Sequence, residues 1–479
     1  MQKKMQFCTK FRDNMHIKDY IPYYKRNLKV AFPVMITQIG ASLVGLIDSI
    51  MVGHYATADF AAVSFSNAIF FTVMVFAMGL LMGITPLVGF AKGEADRYAE
   101  RSGEALSDRC AERPADAATP EGQITTLFSN GFMMTIGVCV MMALLLGSVY
   151  PFLDRFGQEE VVVEAARMYY LYIVISIIPF LFFCFFKQFL EGLGNTLVAM
   201  ILTLIANGLN ILLNWVFIFG HWGFEPMGAS GAGLATLIAR TILPIMLFLV
   251  IIARQRWRQY VTIKQQNKSI FRQLLNVGTP IGIQTFSETI TFTLSFIFIG
   301  WLSKEALAAH QIANQIADLT FMLAIGIGSA TTIRVSHQLG KGDLHAVRMA
   351  SNASIHLVLL MNTIGAVLMI SLRNYIPYIF TKDTEEIAIA SQLILFAGMF
   401  QYADGMQTVG AAMLRGITDV KKPMLYAFVA YILIALPVGL VCMFPLGLGA
   451  KGMWIGFIFG LSIAAILFHT RFRKKLKSL

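Results

Sequence analysis

The chain has 479 residues, 57% of them hydrophobic and only 14% charged, with a formal net charge of +11 and a mean hydropathy of +0.66. That is far more apolar surface than a soluble core hides, so the composition excludes a soluble fold and points to an all-α integral membrane protein. The positive charge does not signal nucleic-acid binding, because the basic residues gather beside alternate ends of the apolar runs rather than on one patch.

In chain order, residues 1–27 mix Lys, Tyr and Ile and are expected to form a short surface helix. They lack an apolar stretch ahead of a small-residue cleavage site, so no removable signal peptide is expected. Apolar runs follow at 31–53, 65–90, 128–150, 168–190, 197–219, 229–253, 277–300, 307–333, 353–371, 387–413, 423–443 and 449–469. Each reaches or approaches the roughly 20 residues that a helix needs to cross the hydrocarbon layer, which predicts twelve transmembrane helices.

Lys and Arg cluster in the N-terminal arm, near Lys92/Arg97/Arg101, in the linker Arg254–Lys268, near Arg334/Lys341/Arg348, near Arg415/Lys421/Lys422 and in the tail 471–479. This alternation predicts that both termini face the cytoplasm. The stretch 91–126 is the longest polar insertion and reads as a mobile cytoplasmic loop. The run around helix 4 is rich in aromatic residues and is expected to break at Pro179. Five cysteines show no metal-ligand spacing, and those in apolar runs read as small core residues.

The chain repeats itself. At an offset of 247 residues Pro33 matches Pro280, Asn67 matches Asn314, Gly79 matches Gly326, Thr85 matches Thr332 and Gly93 matches Gly340. Later, Leu190-Glu191-Gly192 answers Leu414-Arg415-Gly416, and Gly228-Ala-Ser-Gly231 answers Gly449-Ala-Lys-Gly452. Six helices per half place both halves in the same orientation, so two six-helix bundles related by a pseudo-two-fold along the membrane normal are expected. The predicted division is an arm (1–27), an N-terminal lobe (28–253), a linker (254–271), a C-terminal lobe (272–470) and a basic tail.

Few acids fall well inside these runs: Asp48, Glu288, Asp318 and Asp404. A charge there costs at least about 2.5–3.5 kcal/mol, so it faces a partner, an ion or a water-filled space. Glu288 is 11 residues from Val277, and Asp404 is 11 from Arg415, at the cytoplasmic ends of their helices. Both are therefore about 16 Å deep and can share one site. Asp48 and Asn214 stand 17 residues above Ala31 and Leu197, about 25 Å from the same face. With Asn210, and with Thr236 as a supporting ligand, they form a second candidate cluster.

Two carboxylates in a low dielectric cannot both stay ionised without a cation, so a proton, Na⁺ or a cationic substrate is expected at Glu288 and Asp404. The amides of Asn210 and Asn214 add oxygen ligands that suit a hard monovalent cation at Asp48, and such oxygens do not by themselves distinguish Na⁺ from H⁺. Gln311, Asn314, Gln315 and Asp318 line one face of helix 8 and are secondary candidates, as is Tyr402 near Asp404. A membrane-embedded di-aspartyl hydrolase would need more than the fragment Tyr402-Ala-Asp404-Gly, so no enzyme is expected. A flippase for lipid-linked sugars would use basic residues buried mid-span, and helices 1, 2, 7 and 8 hold none.

GLIDSIMVG in helix 1, ALAAHQIANQIADLTFMLAIGIGSATTIRVSHQLGKGD across helix 8 and QYADGMQTVGAAMLRGITDVKKP in helix 10 resemble the multidrug and toxic compound extrusion (MATE) transporters, and within them the bacterial NorM-type branch. The resemblance implies export of organic cations from the bacterial cytoplasmic membrane, driven by inward Na⁺ or H⁺, by a monomer without a cofactor. It matches Asp48 to the family's helix 1 acid, Asn210 and Asn214 to the polar pair of helix 5, Glu288 to the helix 7 acid and Asp404 to the helix 10 acid. Two departures stand out: Asn214 occupies a position that is an acid in some relatives, and the insertion at 91–126 is longer than usual.

Overall fold

The computed structural model describes residues 17–102, 119–263 and 266–479. Twelve long helices run through them: α1 (Ile17–Tyr55), α2 (Thr57–Arg101), α3 (Pro120–Gly147), α4 (Glu160–Gly192), α5 (Leu197–Phe219), α6 (Gly228–Ala253), α7 (Lys268–Gly300), α8 (Lys304–Lys341), α9 (Leu344–Leu372), α10 (Thr384–Gly416), α11 (Lys421–Met443) and α12 (Ala450–Leu476). Eleven are long and apolar enough to cross a membrane. The exception is α7, the helix that carries Glu288 among several Ser and Thr. Its polarity is the first structural sign that it faces something other than lipid.

Side chains start these helices where the backbone leaves N–H groups without partners. Asn267, Ser303, Asp343 and Asp383 each accept from the first turn of α7, α8, α9 and α10. Gly220 and Gly342, both left-handed, stop α5 and α8.

Three expectations change. The loop expected at 91–126 is shorter, because helix continues to Ser102, with Lys92 paired to Asp96 at 2.7 Å one turn on, and α3 already begins at Pro120. Residues 103–118 of that stretch lie outside the described residues. The arm is not a separate surface helix from Ile17 onward but the first turns of α1, which runs on through Pro22 and Pro33; residues 1–16 lie outside the described residues. Pro179 does not break α4, which continues to Gly192.

The repeat seen in the sequence organises the contacts. Gly79 on α2 packs against Gly282 on α7, and its counterpart Gly326 on α8 packs against Met35 on α1, the counterpart of Gly282. Gly192 meets Val88 and the Thr85 carbonyl, and Gly416 meets Val335 and the Thr332 carbonyl in the same way. Gly93 and Gly340, equivalent to one another, lie face to face. The pseudo-two-fold axis therefore passes between them.

Each half has its own apolar core, but the halves exchange helix ends. Ala31 and Met35 of α1 belong to the core of the C-terminal half, whereas Leu274, Val277 and Ile281 of α7 belong to that of the N-terminal half. Contacts between halves concentrate at the face carrying the termini. There Asn27 Nδ2 donates to the Ala350 carbonyl at 3.0 Å and to Ser354 Oγ at 2.9 Å. His337 Nε2 meets the Gly192 carbonyl at 2.7 Å, and Lys341 pairs with Glu100 at 2.5 Å. Farther from that face, residues 41–46 of α1 are exposed on opposite sides of the helix, Val44 alone being half-buried. The halves are thus joined at the terminus face and apart at the other.

Candidate functional site

In the C-terminal half, one amide gathers the acids. Gln407 follows Asp404 by one turn of α10 and shares its face. Its Nε2 donates to Glu288 Oε1 at 2.9 Å and to Asp404 Oδ1 at 3.2 Å. The orientation of the amide follows from chemistry, since ionised carboxylates only accept and the N–H₂ end must face them. The other end, Oε1, accepts from Tyr431 Oη at 2.7 Å. Asp404, Gln407 and Tyr431 are all buried, and Glu288 is half-buried. Depth counting along α7 and α10 thus brought together two residues that the structure joins through a third.

Tyr431 reaches this amide from a π-helical stretch, Val429–Ala435, in the middle of α11. Pro437 follows within the next turn and offers no N–H to the helical ladder. Such wide turns often sit at functional sites.

Arg415 lies in the last turn of α10, the helix end used to count the depth of Asp404, and its buried Nε has no hydrogen-bond partner. It acts electrostatically on Glu288 and Tyr431. Asp318 lies within electrostatic range of Asp404, is exposed, and accepts from Asn314 Nδ2 at 3.3 Å. The site therefore holds two close carboxylates, a third within range and one guanidinium. Its carboxylates outnumber its guanidinium.

In the N-terminal half, Asn214 Nδ2 donates to Asp48 Oδ1 at 2.5 Å and lies 3.4 Å from Asn210 Oδ1. The equal depth of Asp48 and Asn214 is thus matched by direct contact. The amide presents its donor end to the acid, in place of the oxygen ligand expected there. Among the described residues no hydrogen bond links Thr236 to this group. One turn beyond Thr236, however, stands Arg240, at the centre of α6. Its Nη1 donates to Ser176 Oγ at 2.9 Å, and its Cζ lies 5.1 Å from the ring centroids of both Phe70 and Phe180. Arg240 acts electrostatically on Asp48.

Two secondary candidates stand apart. Gln311 is exposed, and Tyr402 donates to Thr363 on α9 at 3.2 Å, on a different side of α10 from Asp404. Sequence reasoning missed Gln407, Tyr431, Arg240 and Arg415. Gln407 was legible as the residue one turn after Asp404, and Arg240 as a lone arginine midway along an apolar run.

The MatE family model matches residues 33–101, 118–216 and 280–441. "Multidrug resistance protein NorM" of Photobacterium profundum is 30% identical over 458 residues, covering 93% of this chain and 94% of the relative. The protein of that name from Vibrio vulnificus is 31% identical over 456 residues, covering 93% and 94%. Among solved structures, an outward-facing multidrug resistance MATE family transporter of the MOP superfamily superposes with a TM-score of 0.81 at 19% identity, covering 95% of this chain and 96% of that one. A MATE structure in the straight conformation gives 0.82 at 19%, with the same coverage.

Proposed function

Because the chain belongs to the MatE family, and because its C-terminal half holds Glu288 and Asp404 on one shared amide, we propose that it is a multidrug efflux transporter. It exports amphipathic, often cationic, organic compounds in exchange for inward Na⁺ or H⁺. The relatives named as multidrug resistance proteins support the drug reading. The observation that carries the coupling is the geometry at Gln407, with Nε2 on both acids and Oε1 on Tyr431.

The chemistry follows from charge. With both acids ionised, two negative charges surround one neutral donor, and Arg415 offsets only one. A proton on one carboxylate, or Na⁺ bridging them, completes the site. Outward opening admits the cation from outside, where it is abundant. Its binding draws α7 and α10 together through Gln407, and this favours opening the terminus face. On that side the cation leaves and a drug enters. A drug cation that neutralises the same acids competes with the coupling ion, and that competition makes the exchange obligatory.

In this reading the protein is a monomer in the bacterial cytoplasmic membrane. Both termini and the closed face point to the cytoplasm, by the placement of Lys and Arg. The reaction is transport, not catalysis. A flippase for pyrophosphate-linked sugars would use basic residues buried mid-span, and the apolar runs of helices 1, 2, 7 and 8 hold none. The test is uptake of ethidium by vesicles holding the purified protein, under an imposed Na⁺ gradient and, in parallel, a pH gradient. Accumulation against the ethidium gradient under either one is expected. No response to both, with translocation of lipid-linked sugar instead, contradicts the proposal.

A further inference from the structure

α1 and α5 run side by side in one register. Thr196 Oγ1, at the start of α5, donates to the Val30 carbonyl at 3.2 Å, and far along the same pair Asn214 Nδ2 donates to Asp48 Oδ1; the offset is 166 in both contacts. The helices are therefore parallel, and the same offset sets Thr203 level with Thr37. Between these points Asn207 packs at Gly40, where a Cβ would come within 3.2 Å of Asn207 Nδ2. On α5 the residues Thr203, Asn207, Asn210 and Asn214 recur at helical spacing, so one polar face meets α1. Three atoms on that face are buried without a hydrogen-bond partner: Thr203 Oγ1, Asn207 Nδ2 and Asn214 Oδ1. Thr203 is 5% exposed and Asn214 is fully buried. Other buried threonines, Thr37, Thr291 and Thr331 among them, give their hydroxyl to the carbonyl one turn back. Thr203 makes no such bond.

Buried polar groups in proteins are hydrogen-bonded, and hydrocarbon offers them no partner. These three cannot satisfy one another, because Thr203 and Asn207 are about 6 Å apart along the helix axis and Asn207 and Asn214 about 10 Å. A gap of about 6 Å is what one water bridges with two hydrogen bonds. We propose that the seam between α1 and α5 is a water path joining Asp48 to the solution at the terminus face, with Thr203 and Asn207 as its intermediate donors and acceptors. The chemistry of the stripe suits water and the protons that water carries: hydroxyl and amide groups both donate and accept, and neither helix has a charged side chain between Thr37 and Asp48 or between Thr203 and Asn214. The seam is a contact between two helices of one half and lies apart from the Gly93–Gly340 junction, so the path stays open while the halves are closed there. The transporter reading is not needed for this inference. It supplies only the use, a route by which Asp48 exchanges protons with one side of the membrane.

The experiment is reaction of single-cysteine variants of the full chain with Ag⁺, a thiol-seeking cation small enough to follow water, applied to one side of the membrane at a time. The background lacks the native cysteines, and the fraction of each thiol blocked against later alkylation is read by mass spectrometry. Lys25→Cys, exposed near the start of α1, identifies the terminus face. Thr203→Cys and Asn207→Cys are compared with Ile205→Cys, at a position 53% exposed on the outside of α5, and Ala206→Cys, in the apolar core. Because a thiol reacts as its thiolate, which water must solvate, the two seam positions are expected to react from the terminus face at least about tenfold faster than the two controls. The difference is expected to persist when an Asn27→Cys/Ser354→Cys disulfide holds the halves together. Thr203→Val, which keeps the shape and loses the hydroxyl, is expected to slow the reaction at Asn207→Cys, whereas Thr203→Ser leaves it fast. Seam cysteines as unreactive as Ala206→Cys, or reactive only from the opposite face or only without the disulfide, overturn the inference, as does an unchanged rate in Thr203→Val. Reaction as expected, together with no drug transport by the wild type, would count against the transporter reading and leave the water path standing.

Discussion

Gly93 and Gly340 occupy equivalent positions in the two halves and face one another across the terminus side, each beside a main-chain carbonyl of the other helix, His337 for Gly93 and Phe90 for Gly340. A structure with this axis closes when these two helices meet. It opens when they part. Their lack of side chains is what permits the approach, since a Cβ at either position would collide with backbone that cannot rotate away.

Valine at Gly93 or Gly340 is therefore expected to disfavour the closed terminus face by about 1–3 kcal/mol, the usual cost of overpacking. The readout is oxidative cross-linking between Asn27→Cys and Ser354→Cys in a background without the native cysteines. The parent cross-links readily, because Asn27 Nδ2 and Ser354 Oγ are 2.9 Å apart. The valine variants lose most of that cross-link. Undiminished cross-linking contradicts the assignment of the axis.

Gln407→Leu removes the donor shared by the two acids and leaves Tyr431 Oη without its acceptor. Hydrogen bonds to charged groups contribute about 1.5–3 kcal/mol. The half-saturating concentration of the coupling ion is expected to shift by about tenfold or more, from the same energies. Tyr431→Phe leaves the amide in place but frees its orientation, and a shift of a few-fold is expected from about 1 kcal/mol. Equal and negligible effects of both variants in a Na⁺- or pH-titrated ethidium efflux assay contradict the role of the amide.

The same geometry predicts a pH dependence when Na⁺ drives transport. Protons and Na⁺ seek the same carboxylate oxygens, so lowering the external pH protonates Glu288 or Asp404 and weakens Na⁺ binding. The half-saturating Na⁺ concentration rises as pH falls. If H⁺ is the driving ion, added Na⁺ instead inhibits uptake driven by a pH gradient, most strongly at high external pH. Titrations of Na⁺ at several pH values distinguish the two.

A third cluster joins α7, α8 and α12. Trp454 Nε1 donates to His310 Nδ1 at 3.2 Å, which places the ring proton on Nε2, toward Ser295 Oγ at 3.2 Å; Ser295 in turn donates to the Phe292 carbonyl at 2.6 Å. Phe400 and Phe457 pack around the indole. Trp454→Ala creates a cavity and is expected to cost about 3–5 kcal/mol, seen as a lowered unfolding temperature of the purified protein. A melting curve matching the wild type contradicts this.

Much of the fold was legible because the bilayer imposes length on each helix and the duplication imposes register. The offset of 247 located Gly79, Gly93, Gly326 and Gly340 before any contact was known. Depth counting also paired Glu288 with Asp404, and Asp48 with Asn214, because helical rise is uniform. What the sequence hid depends on rotation about each helix axis and on side-chain reach. Tyr402 shares a segment with Asp404 but points to another side, and Arg415, at a helix end, acts electrostatically on Glu288. The wide turn at Tyr431 leaves only Pro437 as a trace. Residues 91–102 read as loop because their polarity matches solvent, but they pack against the equally polar end of α8.

The central claim is that Glu288 and Asp404 carry the coupling ion, and drug-driven ion counterflow measures it most directly. Vesicles containing the wild type, Glu288→Gln or Asp404→Asn are given an ethidium gradient, and the movement of ²²Na⁺ and H⁺ in the opposite direction is recorded. The wild type is expected to move one of these ions, and both variants are expected to move neither, although each inserts in wild-type amounts. Counterflow at wild-type rates in both variants would contradict the account.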